Sequence, residues 1–203
     1  MSWTETLHRL AGSLTAHKPS LYPAEEWDDL NDIKIGKLSV DGFQGEQRTY
    51  ALAVKAGLHL FNESLDASHE LSQSLHHPTG SFWHGIMHRM EGDYSNAKYW
   101  FRMVSSHPVY ERLAKDASQY LKECSLSDIS NAPIREKLEK LSGASEWDPY
   151  AFVDLVEHQV TVAREAGAEE LLQHIQWLEM RRLLQYSYAQ SGGGGQLIEL
   201  PEH

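Results

Sequence analysis

The sequence predicts an all-α protein: one single-domain helical bundle of about seven helices over residues 1–190, then a Gly-rich linker and tail over 191–203. Three observations predict it. Apolar residues recur at helical spacing through most of the chain. Start and stop signals punctuate them, as at Pro78, Gly92–Asp93 and Asp148–Pro149. No block reads as a run of strands. A chain of 203 residues suits one full-sized domain, and its 6 Trp, 9 Tyr and 5 Phe bury much area per residue.

The elements follow in order. Residues 3–16 read as a first helix. Residues 17–46 are turn-rich, with Pro19, Pro23, Gly36, Gly42 and Gly45, and hold a short extended piece at "IKIGKLSV". From Gln47 to Leu75 the period is helical, with Val54, Leu58, Phe61, Leu65 and Ser72 on one face. Pro78 and Gly80 break it. A helix over 80–91 is closed by Gly92–Asp93, and Asp93 or Ser95 caps the next, over 95–104. His107–Pro108 starts a helix reaching Cys124. Asn131–Pro133 leads into "IREKLEKL". Asp148–Pro149 opens a helix over 149–166, and Gly167 separates it from a last helix over 168–190. "SGGGG" reads as a flexible linker and "QLIELPEH" as a tail, loose or docked as an extended strip.

Charge narrows the function classes. Eighteen Lys and Arg against 29 Asp and Glu give a net charge of −11. Nucleic-acid binding needs clustered cations, and no basic run supplies them. An anionic membrane surface is disfavoured for the same reason. Cys124 stands alone, so an intramolecular disulfide and a Cys-based zinc site are both excluded. The N-terminus lacks the pattern of a secretory signal, and no window is apolar enough to span a bilayer; a cytoplasmic setting is expected.

Several residues are candidates for chemistry. His84 and His88 stand four apart, so both imidazoles can reach one ion, and Glu91 extends the set. The zinc-protease pattern needs Glu directly after the first His; Gly85 stands there instead. This wedge lies opposite the apolar half formed by Phe82, Trp83, Ile86, Met87 and Met90. His69 projects toward the apolar side of its helix, so both ring nitrogens need partners. Glu179 falls in the middle of the apolar face of the last helix, between Ile175 and Leu183, with Gln176 beside it. An inward carboxylate must be paired, protonated or metal-bound, and Arg89, Arg102 or a buried Tyr would be its partner in a purely structural role. The stripe His59, Glu63, Asp66 and Glu70 points away from the apolar face and reads as solvated. Lys98 and Arg102, one turn apart, either clamp an anion or pair with Glu91 and Asp93. His76–His77 reads as exposed loop, His107 as a helix start, and His158 as a core histidine. Nucleophile elbows, phosphate loops and dinucleotide fingerprints are absent.

Two resemblances follow from quoted stretches. "GDYSNAKYWFRMVSSHP" resembles a tetratricopeptide unit in Gly92, Tyr94, Ala97 and Phe101, with Gly85 near the first-helix glycine. His84 and His88 stand where that repeat has apolar residues. No tandem copy exists, so a local helical hairpin over 82–108 is the expectation. "WHGIMHRMEGDYSNAKYWFR…HPV" and "WDPYAFVDLVE…LLQHIQWLEMRRLL", about half the chain, resemble an uncharacterised family of small all-helical bacterial and fungal proteins. That likeness implies a domain identity and no activity.

The functional expectation is a metal-dependent enzyme or metal-binding protein. His69, His84, His88 and Glu91 would hold a divalent ion (Zn, Fe or Mn), Glu179 would be the catalytic or further liganding carboxylate, and Lys98 and Arg102 would bind a cofactor or anion. A small-molecule substrate or a peptide would be the partner. The alternative is a non-catalytic tetratricopeptide-like interaction module.

Overall fold

Asn62, Glu63 and Ser64 divide what the periodicity reads as a single helix. A computed structural model describes residues 3–201. Among those residues it is all-helical and single-domain, with ten α-helices rather than about seven. They are α1 (Trp3–Leu14), α2 (Asp29–Gly36), α3 (Gly45–Phe61), α4 (Leu65–Ser72), α5 (Pro78–Glu91), α6 (Tyr94–Val104), α7 (Val109–Glu123), α8 (Ala132–Ser142), α9 (Pro149–His158) and α10 (Ala166–Gln190). A 3-10 turn at Leu126–Asp128 and a π-turn at Gln159–Ala163 complete them. No helix of the described residues is long and apolar enough to cross a membrane.

Two of the added helices are α2 and α4. The stretch expected to be partly extended contains α2, which Asp28 caps by accepting from the Leu30 N–H. The predicted 47–75 helix breaks because its polar residues find better partners at long range. The Asn62 side chain donates to the Asp28 carbonyl and to Asp32, and accepts from Asn31. Ser64 Oγ donates to Asp32 at 2.7 Å, and Glu63, at φ 61°, accepts from the Ser20 N–H. Asn and Ser side chains compete with the helical ladder in this way, and three or four such bonds outweigh the lost turn.

The break turns α4 toward α5, and α5 is the centre of the molecule. All twelve residues from Thr79 to Met90 are buried. A helix buried all round has no wet side, so its polar residues must be satisfied inside. Its close neighbours are α3, α4, α6 and α9. Against α3 the approach is tight: a Cβ on Gly57 would stand 2.5 Å from the Trp83 ring. Trp83 Nε1 then donates to Ser187 Oγ of α10 at 3.3 Å. With α6 it forms the hairpin expected over 82–108, turning at Gly92, whose φ of 85° suits glycine.

The C-terminal strip is docked. Gly193 lies against the Tyr188 ring, Leu197 and Ile198 are buried, and Gln185 Oε1 accepts from the Leu197 N–H at 2.7 Å. Arg181 and Arg182 donate to the carbonyls of Glu199 and Pro201.

Candidate metal centre

Three imidazoles meet where α4 crosses α5. His69 comes from α4; His84 and His88, one turn apart, come from α5. One nitrogen from each ring lies within 4.8 Å of the other two, and no other such group of three His, Cys, Asp or Glu occurs among the described residues. His84 and His88 stack at 4.6 Å and 16°, while His69 stands edge-on to both, at 4.8 and 5.5 Å. The His84 ring also stacks on Trp100 of α6, at 3.9 Å and 20°.

The electrostatics favour neutral rings at His84 and His88. His84 is 2% exposed, and neither of its nitrogens has a hydrogen-bond partner among the described residues. A buried polar atom left so costs about 1–3 kcal/mol. Burial pushes its pKa down to about 3, helped by His88 and then His69. His88 is also lowered by burial; Glu91 opposes this and His69 adds to it. Its Nδ1 lies 3.3 Å from Glu91 Oε2, and its Nε2 lies 3.1 Å from the Asn96 amide. Neutral imidazole is the form that binds metal; with Nδ1 turned to the Glu91 carboxylate, an ion at His88 Nε2 would replace the Asn96 amide there.

The spacing is close to that of a coordination sphere. With every pair inside 4.8 Å, the centre of the triangle is at most about 2.8 Å from each nitrogen, against a metal–nitrogen bond of about 2.0–2.1 Å. Closing that gap takes a shift of at most about 0.8 Å per nitrogen.

The other sequence candidates separate from this cluster. Glu91 is 43% exposed and touches it only through His88. Glu179 is elsewhere: its carboxylate accepts from Arg89 Nη2, and both side chains are fully buried. Burial raises the Glu179 pKa and Arg89 opposes the rise. Arg89 also donates to Gln176 Oε1 at 3.3 Å and packs 4.7 Å above the Phe152 ring. Lys98 pairs with Asp154 and, at 3.9 Å, Glu157 of α9, not with Glu91 or Asp93. Arg102 is exposed. The periodicity put His84, His88 and Glu91 on a face apart from the helix's apolar half; His84 and His88 prove to be interior, and Glu91 lies half-exposed at the rim.

Some groups were misread or missed. His59 and Glu63 are not solvated. His59 Nδ1 holds Asp32 at 2.8 Å, and Glu63 holds His17 at 2.8 Å. Their partners come from residues 17–36, which no helical projection of 47–75 includes. Asp66 and Glu70 are exposed, as that reading requires. His77 accepts from the Thr79 N–H and bonds Tyr50 at 3.2 Å, so it caps α5 rather than hanging free. His107 is buried against Thr79 at 3.1 Å, and burial lowers its pKa to about 4. Trp100 had no signal beyond its place four residues after Asn96 on α6.

The chain matches no protein-family model, no curated protein and no solved structure.

Proposed function

We propose that the protein binds one divalent transition-metal ion through His69, His84 and His88 and uses it as a metal-dependent enzyme. One observation carries this reading: His84 is buried beside two other imidazoles with both ring nitrogens unpartnered. His107, by contrast, is buried with its Nε2 held 3.1 Å from the Thr79 hydroxyl.

Three neutral imidazoles leave the ion its full double charge. With three protein ligands, a four-coordinate ion keeps a position for water or substrate, and a zinc-bound water there has a pKa near 7. A set made only of imidazoles suits Zn, Fe, Cu or Ni better than Mn, which prefers carboxylate oxygens. Glu91 orients His88 from outside the coordination sphere. Glu179 acts as the anchor of Arg89 rather than as a catalytic carboxylate. The pairing of Lys98 with α9 leaves a peptide-groove reading only Arg102 of its two cations. The substrate class stays open to a small molecule.

Metal analysis of the purified protein, with melting curves before and after chelation, tests the reading. Free metal at about 100 times Kd contributes about 2.7 kcal/mol, roughly 5–10 °C in Tm for a chain of this size. A metal-free protein whose Tm ignores both chelator and added Zn, Cu, Ni or Fe overturns it.

A further inference from the structure

We infer that Trp100 and Tyr99 form a path for single electrons between an ion held by the three histidines and the protein surface. The inference rests on the metal reading and extends it to a redox-active ion. The His84 ring stacks face to face on the Trp100 indole at 3.9 Å. Trp100 meets the Tyr99 ring edge-on at 5.5 Å and 85°. Tyr99 is 49% exposed. Three π-systems therefore run in contact from a ligand of the ion to solvent. Indole and phenol are the rings among the natural side chains that give up an electron most readily. Met103, one helical turn beyond Tyr99 on α6 and 45% exposed, is the next oxidisable group outward. Trp100 is itself only partly buried, and Tyr99, its neighbour in the chain, extends the ring contact to solvent.

The step balances with hydrogen peroxide as oxidant and copper as the ion, entering reduced as copper(I) and ending in the divalent state of the proposed site. Peroxide takes two electrons and two protons, its O–O bond breaks, and two waters leave. One electron comes from copper(I), which becomes copper(II). The other comes from Trp100, which is refilled from Tyr99. The Tyr99 phenol releases its proton to solvent, supplying one of the two protons, and solvent supplies the second. A neutral tyrosyl radical is left at the surface, and the imidazole ligands are spared.

The test uses the full chain loaded with copper(I), mixed with one equivalent of hydrogen peroxide. Freeze-quenched electron paramagnetic resonance reads the radical, and peptide mass spectrometry locates the oxidised residue. The expected result is a tyrosyl signal with oxidation at Tyr99, and no signal in zinc-loaded protein. Trp100→Phe is expected to lose the Tyr99 oxidation while retaining copper. Tyr99→Phe, a surface change that leaves the fold alone, is expected to replace the tyrosyl signal with an indole radical at Trp100. Tyr99 oxidation that persists in Trp100→Phe, or a tyrosyl signal unchanged in Tyr99→Phe, overturns the path and leaves the metal site standing. A wild-type chain that takes up no copper, zinc or nickel overturns the metal reading itself.

Discussion

Arg89 of α5 donates to the carboxylate of Glu179 of α10, and neither side chain reaches solvent. The pair joins the central helix to the longest one. Removing one partner strands a buried charge, so Glu179→Ala is expected to cost about 3–5 kcal/mol in urea or guanidinium unfolding. Replacing both, as Arg89→Met with Glu179→Leu, is expected to recover most of that loss. Metal stoichiometry stays unchanged in the double variant. A loss of metal there would restore Glu179 to the site.

His84 makes the metal-free protein acid-sensitive. Its pKa of about 3 in the fold lies below the ordinary 6.5, so the unfolded chain binds more protons between those values. Stability from this group is complete above about pH 6.5 and is lost as pH falls toward 3, at up to about 1.4 kcal/mol per pH unit. His107 and His174, each pushed to about 4 mainly by burial, add in the same direction. Unfolding of the chelated protein at stepped pH should show a shallower slope in His84→Leu than in wild type. An equal slope would mean that His84 is hydrated.

Glu91 reaches the histidine cluster through His88, 3.3 Å from its Nδ1. Glu91→Gln is expected to weaken zinc affinity by about tenfold, the low end for an outer-sphere carboxylate because it is half exposed. Competition with a chromophoric chelator measures this. A loss as large as that of His88→Ala would make Glu91 a direct ligand.

Gly57 lets α3 reach the Trp83 ring. Gly57→Ala places a methyl inside that contact, and the overpacking is expected to cost about 1–3 kcal/mol, offset in part by alanine's helix propensity. Thermal or urea unfolding checks it. A stabilised variant would show that Trp83 moves aside freely.

Much of this fold was legible in the sequence because capping residues are local. Asp93, Asn131 and Asp148 each accept from a backbone N–H at the start of a helix that the pattern predicts. The break at 62–64 was not legible, since Asn62 and Ser64 leave the helix for Asp28 and Asp32, 34 and 32 residues away. Glu179 was recognisable as inward because its neighbours on α10 are apolar. Its partner was among those weighed, but the choice of Arg89 depends on how α5 and α10 cross. His84 and His88 read as one wedge of a helix. Whether that wedge faced water depended on α4, which exists only because of the same break. Trp100 could not be linked to His84 without the α5–α6 crossing.

The central claim is that His69, His84 and His88 hold one ion together. Calorimetric titration of zinc into the chelator-stripped chain tests it most directly, beside His69→Ala, His84→Ala and His88→Ala. The expected result is one equivalent bound by wild type, with affinity lost or sharply reduced in each variant while helix content is kept. Wild type that binds no zinc, or three variants that bind it as wild type does, would contradict the account.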